Sequence, residues 1–162
     1  MALTQRALTP LPALTFGPAA IPVPITCHIA VWFWAAQEAQ ALGLTGAKAP
    51  ATTLQRIVTL PGGPQAAMMG LAHVGAVNYG GGALPALPPP GTVLRWASGA
   101  THSAIVTGPD AIVGYNQGAQ FVSAVGQTGR TQCRRADMAA GHRLCYMIPE
   151  ATVVNAAAGH NL

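Results

Sequence analysis

The chain has 162 residues, the usual length of one domain and enough to bury a core without disulfides or metals. About half of the residues are apolar (51%) and only 7% are charged, which excludes a charge-rich disordered chain. The net charge is +4, but the cations are scattered and do not alternate with aromatic residues, which argues against a nucleic-acid partner. A mild positive charge instead favours approach to anionic polymers such as a bacterial cell wall.

The N-terminal region shows neither a membrane span nor a general export signal. The longest unbroken apolar run extends from Ile29 to Ala36, whereas a spanning helix needs about 18 apolar residues. Pro10, Pro12 and Pro18 interrupt the region where a signal-peptide core would lie. If the protein leaves its cell, it therefore needs a specialised secretion machine or excision from a longer polypeptide.

Composition divides the chain into an arm and a domain. Residues 1–25 contain five prolines and are predicted to be an extended arm or linker ahead of a domain at 26–162. From Thr26 to Leu42 there is neither Pro nor Gly, and Gly43 follows where a helix-terminating glycine belongs. This pattern predicts a central, buried helix that Thr26 caps.

Shorter elements follow this helix. Two short helices are predicted at 52–60 and 64–73, and the Gly- and Pro-rich stretch 78–91 is predicted to be a loop. Short segments rich in β-branched residues then predict an antiparallel sheet. They are 92–97, 102–108, 111–117, 120–125 and 143–148. A Gly-Pro-Asp turn at 108–110 is predicted to join the second and third strands as a hairpin, and the whole order is typical of an α+β fold.

Cys27 stands at the predicted first turn of the central helix. Unpaired amides and the helix dipole stabilise a thiolate in that position, so Cys27 is a candidate nucleophile. The backbone amides of Cys27 and His28 are candidate donors to an oxyanion. The alternative is that Cys27 is a small buried hydrophobic residue, as most free cysteines are.

His102 and Asn116 are the candidate partners of this thiol. His102 opens a predicted strand at the rim of the sheet, from which a general base can reach a helix start. Asn116 lies across the hairpin, where its side-chain oxygen could accept from the imidazole and fix the tautomer. The alternatives are a solvent-exposed turn histidine and an ordinary turn asparagine. His28 is disfavoured as the base, because its side chain points about 100° away from Cys27 on the helix.

The segments "TCHIAVWFWAAQ" and "LPPPGTVLRWASGATHSAIVTGPDAIVGYNQ" resemble the papain-like NlpC family of bacterial cysteine peptidases. In that family a cysteine begins a helix, a Pro-Gly-Asp strand follows, and a His-x-Gly/Ala-Ile strand carries the catalytic histidine. The stretches "PGTVL" and "HSAIV" stand at the corresponding places here. The resemblance implies a papain-like α+β fold in which the helix with Cys27 packs on an antiparallel sheet. It also implies Cys27 as nucleophile, His102 as base and Asn116 as the orienting residue.

Three positions depart from the family pattern. Thr26 stands where the family has an acidic residue or Asn, His28 replaces Ser, and Thr92 replaces the acidic residue of the Pro-Gly-Asp strand. No upstream Gln or Tyr is positioned as an oxyanion donor, so backbone amides would have to serve. The departures suggest a divergent member, such as the stand-alone toxin domains that bacteria inject into competitors.

The two remaining cysteines allow other interpretations. Cys133, His142 and Cys145 could bind zinc, although their spacing matches no common zinc module. Cys133 and Cys145 could instead form a disulfide in an oxidising compartment, which would leave Cys27 as the free thiol. We therefore expect no metal and no cofactor, and leave the disulfide open.

The sequence thus predicts a cysteine hydrolase that cleaves an amide bond, with a peptidoglycan stem peptide as the expected substrate. Two alternatives remain open. One is a toxin that cleaves, deamidates or acylates a target protein, and the other is a catalytically inactive papain-like module that only binds a partner. An antibacterial effector of this kind would act in a target cell, in the periplasm rather than the cytoplasm, and an immunity protein is a candidate partner. Neither nucleic acid nor a membrane is expected as a partner.

Overall fold

A computed structural model describes residues 2–78, 86–97, 101–115, 129–134 and 144–159. Its helices are α1 (Leu3–Ala7), α2 (Cys27–Ala41), α3 (Pro50–Val58), α4 (Gly63–Met69) and α5 (Glu150–Ala157). Its strands are β1 (Thr15–Phe16), β2 (Ile21–Pro22), β3 (Gly75–Asn78), β4 (Val93–Trp96), β5 (His102–Gly108), β6 (Ala111–Tyr115), β7 (Arg130–Cys133) and β8 (Leu144–Ile148). Most of the helical residues therefore precede the sheet in the chain, as predicted.

Six strands form one antiparallel sheet in the order β3-β8-β4-β5-β6-β7, and β1 pairs with β2 separately. Side chains alternate between the two faces of a strand, and both faces of this sheet are buried. One face, with Val93, Ile105 and Val113, shares the main core with α2, α3 and α5. The opposite face carries a second apolar cluster that includes Leu94 and Trp96. The predicted α+β architecture is confirmed.

Helix α2 lies at the centre of the molecule, as the sequence predicts. Apolar residues surround it on nearly all sides, so almost every side chain from His28 to Ala39 is buried. Its end is a Schellman motif, in which Gly43 (φ +63°) and Leu44 donate to the carbonyls of Gln40 and Ala39. The helix has 15 residues, and the described residues contain no helix long and apolar enough to cross a bilayer.

Several other elements were predicted with small errors or missed. The hairpin is confirmed, with β5 and β6 antiparallel and Ile105 opposite Val113, while 120–125 lies outside the described residues. Helices α3 and α4 begin slightly earlier than predicted. Strand β7 was missed because "RTQC" lacks the β-branched, apolar pattern of a strand, and α5 was missed because its eight residues are too few to show a helical period.

The N-terminal segment, predicted to be an extended arm, begins with a helix that packs in the core. Leu3 is fully buried there. The N–H of Ala2 donates to Glu38 Oε1 (2.8 Å), and the N–H of Leu3 donates to Glu150 Oε1 (2.7 Å). Arg6 Nε also pairs with Glu38 Oε2 at 3.1 Å. The prolines that suggested an arm all follow α1, so the average composition of the segment concealed this short helix.

Cys133 on β7 and Cys145 on β8 are buried cysteines that are not joined by a disulfide. Three strands separate β7 from β8 in the sheet. Because neighbouring strands lie about 4.8 Å apart, the two backbones are much farther apart than the roughly 7 Å that a disulfide allows. The sheet order therefore argues against the disulfide, and equally against one zinc ion shared by both thiols; His142, the third residue of the zinc hypothesis, lies outside the described residues.

We expect Glu38→Ala to lower the free energy of unfolding by about 2 kcal/mol, because Ala2 and Arg6 both lose their acceptor. Arg6→Ala should cost less than about 1 kcal/mol, since the Arg6 side chain is 36% exposed and only the ion pair is lost. Urea titrations of both variants measure the difference. Equal losses, or no loss for Glu38→Ala, would contradict the assignment of Glu38 as the anchor of α1.

Candidate active site

The starts of α2 and β5 meet at a cleft of about 400 Å³, within the size range of small-ligand sites. Three parts of the chain form it: the start of α2, the turn that leads into α4, and the residue before β5. Its lining residues are Thr26, Cys27, His28, Gly62, Pro64, Gln65 and Thr101. A larger cavity of about 560 Å³ lies along α4, but its lining contains no cysteine and no titratable side chain. The chemistry therefore favours the smaller cleft.

Cys27 is the first residue of α2 and is partly buried in this cleft. The Thr26 hydroxyl accepts from the N–H of Ile29 at 3.3 Å, so the predicted N-cap is confirmed. The backbone amides of Ser103, His28 and Cys27 itself favour the negative form of the sulfur. The first amides of a helix have no carbonyl partner within it. Amides from two elements thus act on one sulfur atom.

Burial nevertheless raises the pKa of the Cys27 thiol above its ordinary value, and the amides of Ser103, His28 and Cys27 lower it by less. The sequence analysis expected a stabilised thiolate because it considered only the helix start. Removal of the anion from water is the larger effect. Cys27 is therefore a neutral thiol at neutral pH in the free protein and needs a base before it can react.

His28 connects the helix start to the strand start. Its Nδ1 lies 2.7 Å from Ser103 Oγ, and its Nε2 lies 3.5 Å from Thr101 Oγ1. The imidazole is only 5% exposed, and burial lowers its pKa to about 4. It is therefore neutral at neutral pH and a weak acceptor for a thiol proton. His28 holds two elements together, which agrees with the sequence-based preference for another base.

His102 is the first residue of β5 and the chain neighbour of Ser103, whose amide favours the negative form of the Cys27 sulfur. Ser103 turns its hydroxyl toward α2, so strand alternation directs the His102 side chain to the opposite face. There it is 1% exposed, with its ring 5.4 Å from the Trp96 ring, centroid to centroid. The structure thus brings the backbone at the start of β5 to Cys27, whereas the His102 imidazole contacts Trp96 and is not part of the cleft lining.

Asn116, the predicted orienting residue, lies outside the described residues. Strand β6 is described as far as Tyr115, and its antiparallel pairing with β5 places Gly114 opposite Ala104. The hairpin on which the prediction depended is therefore present. The role of Asn116 stays a prediction.

Sequence reasoning missed the wall of the cleft that faces Cys27. This wall is the turn Gly62–Gln65 at the start of α4. Trp32, a fully buried residue of α2, donates its indole N–H to the Pro64 carbonyl at 3.0 Å and so attaches the wall to α2. The available signal was "GGP" ahead of a short apolar run, which indicates a turn followed by a helix start.

Among the described residues, no group of three or more His, Cys, Asp and Glu side chains is arranged to hold a metal ion. The described cleft offers one thiol, one neutral imidazole, two threonine hydroxyls and one carboxamide. These groups suit nucleophilic attack by sulfur and hydrogen bonding to a neutral substrate.

The depressed pKa of His28 predicts a pH-dependent stability. Its pKa is about 4 in the folded protein against an ordinary 6.5, so the unfolded chain binds the proton more readily. The stabilisation is complete above about pH 6.5 and decreases as the pH falls toward 4, by about 2 to 3 kcal/mol between pH 7.5 and 4.5. Chemical unfolding of the wild type and of His28→Gln at both pH values measures this.

The variant His73→Gln is the matched control, because His73 is exposed. The free energy of unfolding of His73→Gln should depend on pH as that of the wild type does. His28→Gln should lose most of the part of this dependence that the buried imidazole causes. A similar loss in both variants would show that the effect does not arise from the buried imidazole.

Comparisons of the chain with models of known families, with curated proteins and with solved structures found no match. The α+β architecture therefore rests on the helices and strands described above. The likeness to the NlpC family rests on the two sequence segments that carry it.

Proposed function

We propose that the protein is a cysteine hydrolase of papain-like architecture that cleaves an amide bond, with Cys27 as the nucleophile. The observation that carries the proposal is a partly buried thiol at the first residue of a helix, in the lining of a cleft. Nearby backbone amides favour its negative form. Burial favours a neutral thiol at rest, so the reaction begins only when a bound substrate and a base are both present.

The same amides can serve the transition state. As sulfur bonds to a carbonyl carbon, negative charge moves from the sulfur to the carbonyl oxygen. The amides of Cys27 and His28 belong to the helix start, where they have no intrahelical acceptor. Each well-aligned donor to such an oxygen is worth about 3 kcal/mol.

The position of His102 argues against its role as the base. Its imidazole lies on the face of β5 opposite to α2, against Trp96. The imidazole in the described lining of the cleft, that of His28, has hydroxyl partners at both ring nitrogens and a pKa of about 4, so it is a weak base. The roles of His102 as base and of Asn116 as its orienting residue therefore come from the resemblance alone.

The proposed reaction has two halves. In the first, the Cys27 proton moves to a general base, the sulfur–carbon bond forms, the carbon–nitrogen bond breaks, and the protonated base gives its proton to the departing amine. In the second, the base takes a proton from water, the hydroxide attacks the thioester, and the base returns its proton to the departing Cys27 sulfur. The products are a carboxylic acid and an amine, and the enzyme returns to its starting state.

The proposed substrate is a peptidoglycan stem peptide in the periplasm of a target cell, after delivery by a specialised secretion system. Its supports are the resemblance and the net charge of +4, which favours approach to an anionic wall. An immunity protein in the producing cell is the partner that such an effector would need.

The resemblance also allows a toxin that uses the same thiol on a target protein, and a binding module without activity. Digestion of purified sacculi, compared with digestion of a bacterial proteome, separates the first two. A protein that releases no new amines from either, and whose Cys27 reacts with thiol reagents only after unfolding, would be a binding module.

Cys27→Ala should abolish the release of new amines from purified sacculi, because the nucleophile is lost while the fold is retained. His102→Gln should leave the rate nearly unchanged, because its imidazole lies on the far face of β5. A loss of about 100-fold in a folded variant, the usual contribution of a positioned acid or base, would assign the base to His102. Mass spectrometry of the released peptides and circular dichroism of each variant measure activity and folding.

His73→Gln is the control, since His73 is exposed and lies outside the cleft. Full activity in Cys27→Ala would refute the mechanism. Loss of activity in a folded His28→Gln variant, with full activity in His102→Gln, would assign the base to His28 instead.

A further inference from the structure

The wall of the cleft, Gly62–Gln65, continues into α4, and this whole segment is attached to the rest of the molecule at both of its ends. At its beginning, the carbonyl of Pro64 accepts from the indole of Trp32, a fully buried residue of α2. At the end of α4, the Arg95 guanidinium on β4 donates to the carbonyls of Met68 and Met69. Arg95 is itself 5% exposed, with its guanidinium 4.9 Å from the centre of the Tyr146 ring. The wall is therefore fixed against both α2 and the sheet.

The turn that begins this wall depends on glycine. Gly62 and Gly63 have φ values of +77° and +65°, in the left-handed region that favours glycine. A Cβ at Gly62 would overlap the Cβ of Ala66. The next two residues, Pro64 and Gln65, therefore follow a backbone that few other sequences would adopt.

Gln65 is the polar side chain that this construction presents to the cleft. It lines the cleft together with Cys27 and is exposed to solvent, so packing does not account for its position. A glutamine carboxamide has two N–H donors and one carbonyl acceptor. These groups are complementary to the C=O and N–H of a peptide main chain.

The charges around the cleft indicate what kind of segment it takes. Its described lining contains no Asp, Glu, Lys or Arg, and its imidazole is neutral at neutral pH. A charged group bound here would lose hydration without gaining an ionic partner among the described residues.

We propose that Gln65 is a substrate-binding residue that hydrogen-bonds the main chain of an uncharged peptide segment laid across the cleft from Cys27. This proposal rests on the proposed function, because it takes Cys27 to be the atom that attacks the bound peptide. It goes beyond that function by naming the recognising side chain and by requiring neutral residues on the segment beside the cleavable bond.

Covalent labelling tests this without any turnover. Cys27 is alkylated with iodoacetamide, a small reagent that needs no main-chain contact, and with benzyloxycarbonyl-Ala-Ala chloromethyl ketone, a neutral peptidyl reagent. The measured quantity is the ratio of the two rates, with the labelled cysteine identified by mass spectrometry. Gln65→Ala should lower the peptidyl rate about five- to tenfold and leave the iodoacetamide rate unchanged, as the loss of one neutral hydrogen bond predicts.

Gln55→Ala is the matched control, since Gln55 is an exposed glutamine on α3 outside the cleft. It should change neither rate. Gln65→Glu should also slow labelling by iodoacetate relative to iodoacetamide, because it adds a negative charge beside the sulfur.

An unchanged ratio of rates in Gln65→Ala, or an equal change in Gln55→Ala, would overturn the proposal. Failure of the proposed function is distinguishable, since alkylation does not require hydrolysis. A protein that never cleaves an amide but still shows the Gln65-dependent ratio would keep its peptide-binding residue and lose only its assignment as an enzyme.

Discussion

The hydrogen bond between His28 Nδ1 and Ser103 Oγ is the contact on which the candidate site depends. It joins two residues that lie 75 positions apart in the sequence. His28 follows Cys27 at the start of α2, and Ser103 lies at the start of β5. Because the bond is buried and its imidazole is neutral, it adds no charge next to the sulfur. The histidine side chain is long enough to reach from the start of α2 to the sheet.

The site balances two opposing effects on one atom. Backbone amides favour a negative charge on Cys27, while burial disfavours it more strongly, so the resting form is the neutral thiol. A thiol held in this way resists adventitious oxidation, because the thiolate is the reactive species. In the reaction proposed above, the amides at the start of α2 would donate to the developing oxyanion. One arrangement would then protect the thiol at rest and stabilise the transition state.

The sequence predicted what local patterns encode. The absence of Pro and Gly, the Thr26 cap and Gly43 defined α2, and alternating β-branched residues defined β5 and its hairpin. It did not predict which face of β5 each side chain occupies, because that depends on how α2 packs across the strand. The Trp32–Pro64 and Arg95–α4 contacts, which build the wall of the cleft, also join distant parts of the chain and leave no local pattern. The sign of the Cys27 pKa shift depends on burial, which was likewise unknown.

The carboxylates that hold α1 have a further consequence for the outside of the molecule. The sequence has only four acidic residues, and two of them, Glu38 and Glu150, are engaged with backbone amides inside the fold. Few anions are left to offset the arginines and the lysine at the surface. Adsorption to polyanionic matrices should therefore weaken steeply with ionic strength, as the screening length shortens from about 30 Å at 0.01 M salt to about 8 Å at 0.15 M. Among the described residues, the exposed charges are then Lys48, Arg56 and Arg134 against Asp110, so the described exterior is mainly cationic.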